Sequence, residues 1–213
     1  MSAAIVGVGV RSIGGLLPAE FLLRLRDPKS DLIGIRPSDY HLGANERMSE
    51  IISRSWNRLA NAWIGFSKAL EELNDQEVTA GALTREKWLS VIFGELGYGR
   101  LSSAKSIEIE GRLYPVSHEW RDVPIHLVGA RVPLDKRTSG VKGAAGKSPH
   151  SLVQELLNRS EERLWGMVSN GLILRVLRDS TSLTRQSYLE FDLEEIFSNE
   201  LFDDFVTFWM ICH

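Results

Sequence analysis

One cysteine, Cys212, stands among 213 residues. A lone thiol excludes an internal disulfide framework and a cysteine-rich zinc site, and it fits a reducing cytoplasm. Long apolar runs are missing too: none approaches the ~18 residues of a membrane span, and the amino terminus lacks the basic flank and apolar core of an export signal. A soluble, cytoplasmic protein with no membrane partner is the expectation. Neither charge sign is in large excess, with 25 Lys and Arg against 28 Asp and Glu and a net charge of −3. That balance excludes a uniformly basic nucleic-acid coat but leaves room for a locally basic face. No unit of roughly 20 to 50 residues repeats, which excludes a repeat architecture.

Familiar catalytic signatures are absent as well. The stretch from Gly143 to Ser148 ends like a phosphate-binding loop, yet the first glycine of that motif would fall on Val141. Gly7 and Gly9 lack the strand-turn-helix setting and the acidic partner of a dinucleotide fingerprint. His118 and His126 have no further ligands at zinc spacing, and Ser117, His118 and Asp122 lack a nucleophile elbow. No Asn/Asp-Pro-Pro-aromatic motif occurs, so methyl transfer does not reside in these residues. The segment is expected to hold no metal and no cofactor of its own.

What is there reads as helices and strands around one core, which 43% hydrophobic residues suffice to build. Residues 1 to 15 suggest an irregular arm. A short helix is predicted from about Pro18 to Arg26. A much longer one follows a cap at Asn45, where Met48, Ile52, Ser55, Leu59, Ala62, Phe66, Ala69 and Leu73 recur at spacings of three and four, over roughly 40 Å. After a polar connector, residues Thr84 to Lys87 should cap a second helix that ends at Gly97. Strand patterns follow at 106–110, 112–117 and 125–128. Ser148 and Pro149 open an amphipathic helix, and Asn170-Gly171 between apolar runs marks a β-hairpin. A strand at Tyr188 to Asp192 and a helix from Leu193 complete the order. Its last apolar turn reaches His213 without a cap, so the segment is expected to be the amino-terminal piece of a longer protein.

A helix with an inward Gln154 followed by the Trp165–Asn170 hairpin resembles the nuclease-like domain at the front of type IIG restriction-modification proteins. The strings Leu96–Leu101, Tyr114–Trp120, Pro124–Gly129, Ser148–Asn158 and Trp165–Asp179 are similar, in this order, to the adenine methyltransferase subunit of DISARM-like phage-defence systems. The resemblance spans about Leu83 to Arg185. It implies an α/β, restriction-endonuclease-like (PD-(D/E)XK-type) mixed sheet flanked by helices over 83–192, with a helical appendage at 1–82 and a trailing helix at 193–213.

Such a fold cuts DNA with an Asp at one strand, an acid-x-Lys triplet on the next, and Mg²⁺ held between the carboxylates. The resemblance implies Glu95 and Gln154 as the helix-borne partners. Gly129-Ala130-Arg131 fills the triplet, however, and only Asp122 or Glu119 approaches the Asp position. The expected function is therefore a non-cutting, DNA-contacting or scaffold region of a phage-defence DNA adenine methyltransferase, with S-adenosylmethionine bound only in a downstream domain. Two alternatives stand beside it. One is an active Mg²⁺ endonuclease using Glu95, Asp122, Glu119, Gln154 and a displaced Lys136; the other is a module docking other defence subunits through the long helix. For DNA, the candidates are Arg131, Lys136, Arg137, Lys142 and Lys147, on a flexible glycine-rich loop whose only acid is Asp135. Arg175, Arg178 and Arg185 near the hairpin favour the same partner.

Overall fold

The computed structural model describes residues 3–27, 29–43, 45–74, 77, 79–180 and 186–213. From the amino terminus come strands β1 (Ala3–Ile5) and β2 (Val10–Ile13), helix α1 (Ala19–Arg24), a 3-10 turn at Pro37–Tyr40 and the long helix α2 (Met48–Glu71). Helix α3 (Gly81–Leu83) continues through a π-helical segment, Thr84–Leu89, into α4 (Ser90–Glu95). Strands β3 (Ser102–Ser103), β4 (Ile107–Ile109), β5 (Arg112–Tyr114), β6 (His118–Trp120) and β7 (Val123–Leu127) follow. The remainder is α5 (Pro149–Arg159), β8 (Trp165–Ser169), β9 (Ile173–Arg178), β10 (Tyr188–Asp192), α6 (Leu193–Ser198) and α7 (Phe202–Cys212).

Among the described residues, eight strands form one mixed sheet in the order β1-β2-β10-β9-β8-β7-β6-β3. Neighbours run antiparallel except β7 and β8, which are parallel and joined by the long loop and α5. Parallel strands need such a crossover. Alternation along the strands divides the side chains between two cores. Ile125, Met167, Leu174, Val176, Leu189 and Phe191 face α2, α4, α6 and α7, whereas Val168, Leu177 and Tyr188 face α5. The architecture is a mixed sheet flanked by helices.

The Asn170-Gly171 hairpin forms as its sequence demands and also anchors its neighbours. Gly171 sits at φ +85°, Asn170 Oδ1 accepts from the amides of Leu172 and Ile173, and Trp88 Nε1 donates to the Gly171 carbonyl at 2.7 Å. Helix α5 has its Ser148 cap, with the side chain accepting from the Ser151 amide, and Pro149 in its first turn. Helix α2 buries Ile52, Ser55, Leu59, Trp63 and Phe66 along one stripe.

Several expectations are corrected. Residues 1 to 15 contain two sheet strands instead of an irregular arm, because Val10 and Ile13 pair with Phe191 and Tyr188 of β10. Between β1 and β2 the backbone closes on buried Asp204, whose carboxylate accepts from the Gly9 amide at 2.7 Å; a Cβ at Gly7 would fall 1.9 Å from it. Helix α2 starts after Arg47 with no side-chain cap, and Asn45 lies outside it. Thr84 caps nothing: buried within the helix, it donates to the Ala80 carbonyl and accepts from the Ala130 amide. Strands β4 and β5 form a separate two-stranded sheet. The terminal helix is two helices, broken where Glu200 turns to φ +52°. Apart from these corrections, Val10, Leu22, Leu59, Trp88, Ile125, Phe191 and Phe208 all belong to one core.

Candidate functional site

The helix-borne pair expected at a nuclease centre lies on opposite faces of the sheet. Glu95 ends α4 and is held by Arg58 of α2 at 3.1 Å, while Gln154 on α5 donates to Asn158 Oδ1 and to the Arg178 carbonyl, both at 2.9 Å. Asp122 is exposed in the turn between β6 and β7. Glu119 pairs with Arg163 at 3.0 Å. Gly129 has a physical reason for lacking a carboxylate, since even a Cβ there would come 1.9 Å from the Thr79 carbonyl oxygen. Among the described residues no three His, Cys, Asp or Glu side chains converge as metal ligands. These residues do not fit a Mg²⁺ centre, which needs several oxygens at ~2.1 Å.

The basic loop is also rearranged. Arg131 reaches back to the end of α2, donating to the carbonyls of Leu73, Asn74 and Glu77 at 2.9 to 3.2 Å. It fastens the loop to the connector that follows α2. Lys147 is spent on Glu155, which Arg112 also grips at 2.6 Å. Lys136, Arg137 and Lys142 remain exposed, with no ion pair among the described residues. The loop packs on the core: Val132, Leu134 and Ala144 are buried, and the His126 ring holds the Gly143 carbonyl at 2.9 Å.

Arg175 is likewise a correction. It stands only 5% exposed, with Nε 2.8 Å from Glu190, both terminal nitrogens on Asp135 at 2.6 and 2.9 Å, and its charge 4.8 Å above the Tyr188 ring. Arg175 holds the Asp135 carboxyl below its usual range by direct hydrogen bonding. His150 packs alongside, its Nδ1 3.2 Å from Arg175; burial, then that positive charge, pushes its pKa down to about 4. Arg175 thus ties the basic loop to the sheet and does not face DNA. Leu174, Val176 and Leu177 beside it are buried as well, so Arg175 lies on a strand covered on both faces. Arg178 pairs with Asp179 and covers Trp165. Arg185 lies outside the described residues.

A groove opens where β7 ends. Two adjoining cavities, of about 360 and 510 Å³, share Arg85, His118 and Leu127 in their walls. Lys142 lines the first beside Ser117 and Gly129, and Arg100 lines the second with Leu101. Among the described lining residues, three cations thus face one acid, Glu86, itself 3.8 Å from Arg85. The π-helical segment presents Arg85, a distortion that frequently accompanies functional sites. Thr84 fastens that segment to the exit of β7 and Ser90 Oγ takes up the Arg85 carbonyl. Behind it, Trp88 is fully buried against Trp63, Phe66 and Phe197. Ser117 Oγ lies 2.8 Å from His118 Nδ1, and burial, then the charge of Arg85, lowers the pKa of His118. Sequence inspection missed Arg85 and Arg100 as site residues because each lies far from Lys142 along the chain; only the fold gathers the three at one groove. No protein family model matches the sequence, and comparisons with curated proteins and with solved structures give no match.

Proposed function

We propose that this chain is the nuclease-like, non-cutting, DNA-contacting region of a phage-defence DNA adenine methyltransferase of type IIG or DISARM-like kind. The observation that carries the reading is the groove at the end of β7: a position where a cutting centre requires carboxylates is lined instead by Arg85, Arg100 and Lys142 beside Gly129. Such a surface suits phosphates, and Glu86, the one acid among its described lining residues, is too little to hold a Mg²⁺ ion between them. The restriction-endonuclease-like fold assignment belongs to the same proposal, supported by the order helix, antiparallel β6 and β7, helix α5 and parallel β8, with α4 and α5 on opposite faces. Methyl transfer with S-adenosylmethionine would belong to a further domain, other defence subunits would be its partners, and the cytoplasm its compartment. Fluorescence anisotropy against salt tests it. Binding should weaken with log salt, and Arg85→Ala, Arg100→Ala and Lys142→Ala should each flatten the log-log slope by about 0.7 to 0.9, the range for one phosphate contact on single-stranded to duplex DNA. Plasmid DNA with Mg²⁺ should stay uncut. Unchanged slopes, or metal-dependent nicking, would overturn the reading, the second in favour of an active endonuclease.

A further inference from the structure

We infer that the groove takes a single unpaired nucleotide and not a segment of duplex, an inference that rests on the DNA-contacting reading above. Both cavities lie within the ~300–1,000 Å³ of pockets that enclose a small ligand. A base paired inside a duplex cannot enter such a space; it must first leave the stack. The walls suit one that has left. Leu101 and Leu127 are partly buried apolar surfaces backed by the core. Between the two cavities stands His118, half-buried, a flat ring whose Nδ1 is occupied by Ser117, so that Nε2 remains for a ligand. Burial and Arg85 favour its neutral form. Unpaired bases are commonly held in this way, stacked on a flat side chain and hydrogen-bonded on an edge, with cations on the flanking phosphate. Arg85, Arg100 and Lys142 supply that charge, and Glu86, the one acid among the described lining residues, is already beside Arg85.

The nucleotide could belong to a strand or be free, and one experiment separates these sources from each other and from duplex binding. A labelled 12-residue single strand and its duplex are titrated by anisotropy at equal salt, with dAMP and inorganic phosphate as competitors, on the whole chain and on His118→Ala, His118→Phe and Arg85→Ala. The single strand should bind about tenfold more tightly than the duplex, the scale of one stacked base. Micromolar to millimolar dAMP should compete where equal phosphate does not. His118→Ala should erase the preference, and His118→Phe, which keeps a flat ring in the same strand, should retain most of it, so a folding defect at this position would be evident as loss in both. Duplex binding at least as tight as single-strand binding, weakened by Arg85→Ala, would overturn the inference and leave the DNA-contacting reading standing. Binding of dAMP with neither strand would support the nucleotide site and overturn the DNA reading, whereas no binding of any probe would overturn both.

Discussion

At the scale of single residues, the same side chain type does opposite work depending on which way the strand turns it. Arg175 and Arg178 sit on one strand; the first is 5% exposed between two carboxylates and the second 52% exposed beside Asp179. Removing Arg175 strands Glu190, 9% exposed, with Arg11 at 3.2 Å as its remaining partner. Breaking a buried ion pair costs about 3 to 5 kcal/mol, and the surviving Arg11 contact places Arg175→Met near the lower end, about 3 kcal/mol. Arg178→Ala should change stability by no more than about 0.5 kcal/mol. Urea unfolding of the two variants checks the contrast. Equal effects would show that Arg175 is not the anchor its geometry makes it.

At the scale of elements, the loop between β7 and α5 is fastened by two buried imidazoles. His126 reaches the Gly143 carbonyl, and His150 lies against Arg175, which grips Asp135; burial is the first cause that brings each pKa to about 4. The ordinary value is 6.5. Between these values the unfolded chain binds protons that the folded loop refuses, so stability is full above pH 6.5 and is lost as pH falls toward 4. Each histidine contributes up to ~1.4 kcal/mol per pH unit in that window. Urea midpoints at pH 7 and pH 5 should therefore differ, and His150→Gln should reduce the difference.

Elements with local signals were legible: the Ser148-Pro149 start of α5, the Asn170-Gly171 turn, the long stripe of α2 and Tyr188–Asp192 as a strand. Those that depend on distant partners were not. Gly7 and Gly9 looked like slack because nothing nearby in sequence announces Asp204, which their backbone approaches from 195 positions away. The groove was legible only in pieces, through Ser117, His118, Gly129 and Lys142, since Arg85 and Arg100 become their neighbours by folding, and Arg131 looked like a DNA contact because the carbonyls it bonds lie more than fifty positions earlier.

At the scale of the whole molecule, the order of strands has a consequence in time. Ile13 of β2 pairs with Tyr188 of β10, 175 positions later. During synthesis at ~5–20 residues per second, the first two strands wait roughly 9 to 35 s for the strand that completes their edge. Closing so long a loop is entropically late work, repaid only once the centre of the sheet exists. The hairpin of β8 and β9 with Trp88 packed on it is the expected nucleus, and β2 is expected to add last. Val10→Ala should accordingly speed unfolding and leave the refolding rate almost untouched, with a φ-value below about 0.3, while Val168→Ala in the hairpin should slow refolding. Until β10 arrives, the nascent chain carries an open strand edge exposed to any extended segment it meets, and its vulnerability to misassembly is set by the ribosome's pace.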